Sequence, residues 1–173
     1  MKHQKGFTLI ELLVVIAIIG LLSSVILAAL SSARMKARVA RRYSDFKQLN
    51  TALELYKDKY NTYPNTSNMW LSVCKNPGDG PWGLDRSGSN GFIPDLAPEF
   101  IPILPIDPSG CAGVGVTEGY HYASNGAGYK LQTGYLSDTM SLCLPNGDFA
   151  DPTVISSPGA YKCAIYTQDF SGR

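Results

Sequence analysis

Hydrophobic residues follow two different rules on either side of Pro64. From Phe7 to Leu30 they form a nearly unbroken run of Leu, Ile, Val and Ala, diluted by Thr, Ser and Gly20, with Glu11 the one ionisable side chain. About 20 apolar residues at about 1.5 Å of rise each cross a hydrocarbon layer of about 30 Å, so this segment predicts a membrane-spanning helix. No proline precedes Pro64, which leaves Gly20 as the weak point of that helix. Beyond the run the pattern becomes periodic. Val39, Tyr43, Phe46, Leu49, Leu53, Tyr56 and Tyr60 recur at steps of three and four, as along one face of an α-helix. Arg41, Arg42, Asp45, Lys47, Gln48, Glu54, Lys57 and Asp58 take most of the remaining face. One helix is therefore predicted from about Phe7 to about Tyr60, on the order of 80 Å long. Its first half suits lipid, and its second half is amphipathic and docks by its stripe. The segment from Asn61 to Asn65 ends it, because Pro64 disfavours helical geometry at Tyr63.

After that point Gly, Pro, Asn, Ser and Asp break up short apolar runs, which reads as loops and strands. Tyr120-His121-Tyr122-Ala123 and Gly128 to Gln132 flank Asn125-Gly126-Ala127, and Asn-Gly is a strong hairpin signal. A third strand is expected over Tyr161 to Tyr166. The predicted class is α+β: a long N-terminal helix, half transmembrane and half amphipathic, packed against a small antiparallel sheet with long Gly- and Pro-rich loops. Such a head is large enough to fold when the helix supplies part of its core.

Charge adds two observations. Net charge is +1, yet Arg34, Lys36, Arg38, Arg41 and Arg42 crowd just beyond the apolar run. Counting cations near a span would place the C-terminal part in the cytoplasm, against the pull of Lys2 and Lys5 at the N-terminus. The basic patch is read as side chains snorkelling to membrane phosphates rather than as a nucleic-acid site, because a helical basic cluster alone is weak evidence for the latter. The second observation is Glu11. An ionised carboxylate deep in a bilayer costs roughly 2.5–3.5 kcal/mol on insertion scales, so a compensating partner is expected.

The four cysteines, Cys74, Cys111, Cys143 and Cys163, all follow the span. An even number in a small loop-rich head fits disulfides in an oxidising compartment, which puts the head outside the cytoplasm. No C-x-x-C pair suggests zinc or redox chemistry. Cys74–Cys111 and Cys143–Cys163 are the favoured pairings, the latter closing the last loop onto the last strand. Connectivity stays open, and buried free thiols are the alternative.

Gly6-Phe7-Thr8-Leu9-Ile10-Glu11-Leu12-Leu13-Val14-Val15 resembles the processing signal of type IV pilins and type II secretion pseudopilins. The resemblance implies that a membrane prepilin peptidase cuts after Gly6 and that Phe7 becomes the N-methylated N-terminus. It implies that Glu11 is retained and pairs with the α-amine of a neighbouring subunit's Phe7. Two charges, each costly in a low dielectric, are more tolerable as a pair, and the pair selects a register between subunits. The segment Leu104-Pro105-Ile106-Asp107-Pro108-Ser109-Gly110 and the Leu-Tyr to Tyr-Pro helix exit are similar to the major pseudopilin type. Many members carry a proline where this chain has Ala28, so any melting of the helix on assembly would centre on Gly20. Asp148 and Asp151 fall short of the family's Asp-rich calcium loop, so no metal is expected.

The resulting expectation is a leader over 1–6, a transmembrane assembly helix over 7–30, an amphipathic continuation over 31–62 and a head over 63–173. The implied function is structural: a subunit of a type IV pilus or type II secretion pseudopilus, made as an inner-membrane precursor and polymerised outside the cytoplasm. Implied partners are the peptidase and methyltransferase, other copies, minor pilins, an inner-membrane assembly platform and, before assembly, lipid. A minor pilin acting as adhesin or in DNA uptake is the alternative from another class. An ordinary signal peptide cut near Ala29 or Ala33, or a plain anchor, is a further one. No cofactor or enzymatic activity is expected: no nucleophile–His–acid motif is present, and His121 between two tyrosines reads as structural. Trp70, Trp82 and the tyrosines are read as packing on the sheet rather than as a binding face.

Overall fold

The computed structural model describes residues 7–74, 85–110, 119–133 and 164–167. The chain divides into two compact units, 1–37 and 38–173. The helix α1 runs over Leu9–Tyr60. Its end is local chemistry: Asn61 takes a left-handed conformation (φ 56°) and its N–H donates to the Lys57 carbonyl at 2.7 Å, closing the last turn.

In the first unit the described side chains of α1 are exposed. Over this part the helix is long and apolar enough to cross a membrane. Ser24 does not leave a polar group bare there, because its hydroxyl donates to the Leu21 carbonyl at 2.8 Å.

In the second unit a four-stranded sheet carries β1 (Leu71–Ser72), β2 (Tyr120–Ser124), β3 (Tyr129–Thr133) and β4 (Ala164–Tyr166) in that order. Each neighbouring pair is antiparallel. The α+β class is as expected. Register follows from the hairpin, which pairs Ser124 with Tyr129 and Tyr120 with Thr133. Tyr120, Tyr122, Leu131 and Tyr129 thereby share one face with period two. That face meets Phe46, Leu49, Ala52 and Leu53 of α1 in a single core. The Phe46 and Tyr120 rings are tilted with centroids 5.2 Å apart. The hairpin tip closes on the helix exit, where Tyr63 N–H and Thr62 Oγ1 each donate to the Gly126 carbonyl at 2.9 Å. Gly126 has φ +89°, and a Cβ there would come within 3.0 Å of Thr62 Oγ1.

The segment over 85–104 contributes more than the connecting loop its composition suggests. Phe92, Ile93, Leu96, Ala97, Ile101 and Leu104 are all buried in the same core. The segment also holds itself together: Leu104 N–H donates to the Arg86 carbonyl and Arg86 Nε donates back to the Leu104 carbonyl, at 2.9 and 2.8 Å. At its outer end Phe100 packs against Tyr56, and Lys59 pairs with Glu99.

Two expectations need revision. The periodicity places Arg42 and Asp45 on the polar face, yet both are buried. Tyr60 closes the periodic stripe in sequence but is 46% exposed, because the core ends one turn earlier. Strand β1 carries too short a pattern to be read from sequence and pairs with β2 only once the chain has folded back. Of the expected third strand, Tyr161 to Cys163 lie outside the described residues.

Candidate assembly site

Glu11 has a partner inside its own chain. Its Oε2 accepts from the Thr8 backbone N–H at 2.8 Å and from Thr8 Oγ1 at 2.6 Å. The Glu11 N–H donates to Thr8 Oγ1 at 3.3 Å. This reciprocal arrangement is a capping box: Thr8 is the N-cap, Glu11 the third helical residue, and each satisfies a backbone N–H the helix leaves unpaired. A carboxylate in the first turn is also favoured by the helix dipole. The Thr-x-x-Glu spacing is a capping-box signature visible in the sequence, which the charge of Glu11 by itself does not reveal. Phe7, next to the cap, is 82% exposed. Gly6 lies outside the described residues, and Gly20 meets no atom within 4 Å of where a Cβ would stand, so packing within the chain does not require glycine there.

Further along α1 the helix is clasped to the segment that precedes the hairpin. Arg42 donates from Nε and Nη2 to Asp107 Oδ2 and Oδ1 at 2.7 and 3.0 Å. Nη2 also donates to Ser109 Oγ at 2.6 Å, and Ser109 N–H donates to Asp107 Oδ1 at 2.8 Å. Both charged side chains are closed to solvent, so the pair must be held by geometry and by these added hydrogen bonds. The Pro105-to-Gly110 turn is thus what presents Asp107. The signal for Arg42 was its position: it precedes Phe46, Leu49 and Leu53 by four, seven and eleven residues, which puts it on the apolar face.

One turn on, Tyr120 of β2 donates its hydroxyl to Asp45 Oδ2 at 2.8 Å, and Arg41 Nε stands 3.9 Å from the same oxygen. Burial pushes the Asp45 carboxyl above its ordinary range, while the Tyr120 hydroxyl and Arg41 pull it back and the Asp107 charge adds to the rise. Burial and then Asp45 push the Tyr120 phenol far above the ordinary tyrosine range, so it stays a donor at any physiological pH. Two more tyrosines tie the sheet to the helix and its exit: Tyr129 donates to Asn50 Oδ1, and Tyr122 donates to the Pro64 carbonyl at 2.9 Å.

Cys74 is buried and is not a free thiol. Gly119, at φ +100°, passes so close that a Cβ there would lie 2.7 Å from Cys74 Sγ. Cys111, Cys143 and Cys163, like Asp148 and Asp151, lie outside the described residues. His121 is buried on β2. Among the described residues no group of His, Cys, Asp and Glu could hold a metal ion.

The Prokaryotic N-terminal methylation motif family matches residues 1–27, the stretch that includes Gly6, Phe7, Glu11 and Gly20. The chain is 34% identical to the type II secretion system core protein G of Escherichia coli K12, over 69% of this chain and 77% of that one. It is 35% identical to the protein of that name in Aeromonas hydrophila, over 63% and 70%. The Pectobacterium carotovorum counterpart is 34% identical over 58% and 80%. The chain belongs to the type IV pilin and type II secretion pseudopilin family. No solved structure matches it significantly. The family's motif and the exposed apolar half of α1 fit a membrane-anchored precursor.

Proposed function

We propose that this chain is a structural subunit of a type II secretion pseudopilus or a closely related pilus, cut after Gly6, methylated at Phe7 and polymerised through the first half of α1. The observation that carries this reading is the uncovered apolar surface from Leu9 to Leu30, headed by a carboxylate in the first turn, on a chain of this family. Such a surface has two solvents, lipid before assembly and other copies of the same helix afterwards. Lipid tails are as apolar as leucine, so packing and polar contacts rather than the hydrophobic effect decide between them.

Glu11 supplies the polar contact. Peptide cleavage after Gly6 creates an α-amine on Phe7, one residue from the cap. In the free subunit the carboxylate is satisfied by Thr8. In the filament it accepts the charged amine of a neighbour, which sets the stagger between copies. Prepilin peptidase, its methyltransferase activity, minor pilins and an inner-membrane assembly platform are the partners this route requires. The precursor would sit in the inner membrane with its head outside the cytoplasm. A buried Cys74 that is not a free thiol supports that placement, and Cys74–Cys111 and Cys143–Cys163 remain the proposed pairings. The head acts as a structural module and not as an enzyme.

Intact mass of the mature protein tests the reading. It should correspond to a chain beginning at Phe7 with one added methyl group, lowered further by two hydrogens for each disulfide. A mature N-terminus near Ala29 or Ala33 would overturn it.

A further inference from the structure

Two of the polar contacts that hold the second half of α1 depend on chain segments that meet at one sulfur atom. Arg42 and Asp45, one turn apart on α1, are met by Asp107 and Tyr120. Asp107 belongs to a turn that closes when the Gly110 N–H donates to its carbonyl at 2.9 Å. Tyr120 opens β2 directly after Gly119. Cys74, two residues past β1, approaches both glycines. Its Sγ stands 4.0 Å from the Gly110 carbonyl oxygen, and a Cβ on Gly119 would lie 2.7 Å from that sulfur. The Cys74 N–H donates to Ser72 Oγ at 3.1 Å, which ties the residue to the end of β1. The side chain is buried and is not a free thiol.

We infer that the Cys74 sulfur is a redox-sensitive latch: bonded, it holds Gly110 and Gly119 where Asp107 and Tyr120 reach Arg42 and Asp45, and its reduction loosens both contacts together. The inference rests on the Cys74 disulfide of the proposed function. A dithiol reductant opens such a bridge in two steps. One thiolate attacks a bridge sulfur and breaks the sulfur–sulfur bond, and the second thiol then displaces the protein sulfur as the reductant closes into a cyclic disulfide. The protein gains two electrons and two protons and carries two thiols. The freed Cys74 side chain gains a proton and rotational freedom in a close-packed space lined by Gly110 and Gly119, so its motion displaces one or the other. A bridge that merely restricted the unfolded chain would act differently. Its loss would quicken opening throughout the fold alike and would add to the cost of any other change. The latch acts instead on the folded state, at the partners of Arg42 and Asp45. In a reducing compartment it stays open, so the second half of α1 and the sheet would lock together only once the head is outside the cytoplasm.

The test uses the full mature chain in micelles, before and after dithiothreitol. On reduction, hydrogen exchange should quicken about ten-fold or more at the Ser109 and Gly110 amides, whose acceptors lie on Asp107. The Asn61 and Tyr63 amides, bonded to the Lys57 and Gly126 carbonyls, should keep their rates. C74S should reproduce the reduced pattern without reductant. In denaturant unfolding, D107N should raise the unfolding constant about five-fold less in the reduced chain than in the oxidised one, because reduction has already loosened the clasp. Equal quickening at all four amides, no quickening at Ser109 and Gly110, or the same cost of D107N in both states overturns the latch and leaves the proposed function standing. Intact mass after alkylation of the chain taken from its native membrane reports the bridge itself. A Cys74 that takes the label without reduction overturns the latch and the proposed disulfide together, while a mature chain beginning at Phe7 in the same spectrum keeps the assembly reading.

Discussion

Arg42 and Asp107, 65 positions apart, form a two-pronged ion pair from which water is excluded. It joins the second half of α1 to the turn that feeds the hairpin, so one side chain fastens that helix to the sheet-forming part of the head. Burying two charges costs several kcal/mol per ion before their attraction is counted, and the Ser109 hydroxyl and N–H offset part of that.

Breaking one side of the pair should therefore cost more than removing both. R42M or D107N alone is expected to destabilise the protein by about 3–5 kcal/mol, because a charge is left buried without its counterpart. R42M/D107L should recover most of that loss. Denaturant unfolding of the full chain in micelles measures all three. Single variants within about 1 kcal/mol of wild type would mean that the turn is held by its prolines instead.

Asp45 gives a pH dependence whose sign can be worked out. Its carboxyl titrates higher in the fold than in the unfolded chain, chiefly because it is buried. The folded state thus holds the proton more tightly. Asp45's contribution is complete below its unfolded pKa and is lost as pH rises from there through the raised value. D45N, which cannot ionise, should lack that loss while keeping an acceptor for Tyr120. Stability profiles of wild type and D45N should diverge across that window, and parallel profiles would show that Asp45 does not titrate high. Y120F should cost about 1–3 kcal/mol at neutral pH, since it leaves a buried carboxylate short of one donor.

The contact between Gly119 and Cys74 predicts an unequal pair of glycine variants. Gly119 and Gly110 both have positive φ, but a Cβ on Gly110 would meet nothing within 4 Å, whereas one on Gly119 would overlap Cys74 Sγ. G110A should cost about 1 kcal/mol from backbone strain alone. G119A should cost clearly more and should alter the ease with which Cys74 is released by reductant. Equal melting temperatures for the two variants would count against the close approach.

At the other end of α1, E11V should leave membrane insertion intact and abolish most assembly, while T8A should show an intermediate defect. Losing the Thr8 hydroxyl costs about 1 kcal/mol of helix stability and leaves Glu11 only the backbone N–H of residue 8 as a donor from its own chain, but keeps the charge for the neighbour's amine. Filament yield and cysteine cross-linking between neighbouring subunits would separate the two. Wild-type filament levels with E11V would remove Glu11 from the mechanism.

Much of this site can be read from the residues in order. Thr8 and Glu11 carry the capping spacing, and Arg42 sits at helical steps from Phe46, Leu49 and Leu53. In both cases position and charge point different ways: the charge of Glu11 suggests a distant partner where its position gives a local one, and the charge of Arg42 suggests a lipid or solvent face where its position gives the core. What could not be read was the partner of Arg42. The Pro-rich segment around Asp107 is recognisable in sequence, but no local pattern pairs it with Arg42, and only folding brings it against α1.

By itself the sequence determined the elements whose cause is local. The long helix, its change from apolar to amphipathic, its stop at Asn61 and the Tyr120-to-Thr133 hairpin follow from periodicity and turn chemistry within a few residues. Tertiary structure alone decided which polar residues are buried, that the 85–104 segment fills the core, and that Leu71–Ser72 joins the sheet. Those outcomes depend on side chains dozens of residues apart competing for the same enclosed space. There a charge is tolerated only when its counterpart arrives with it, and no local pattern encodes that meeting.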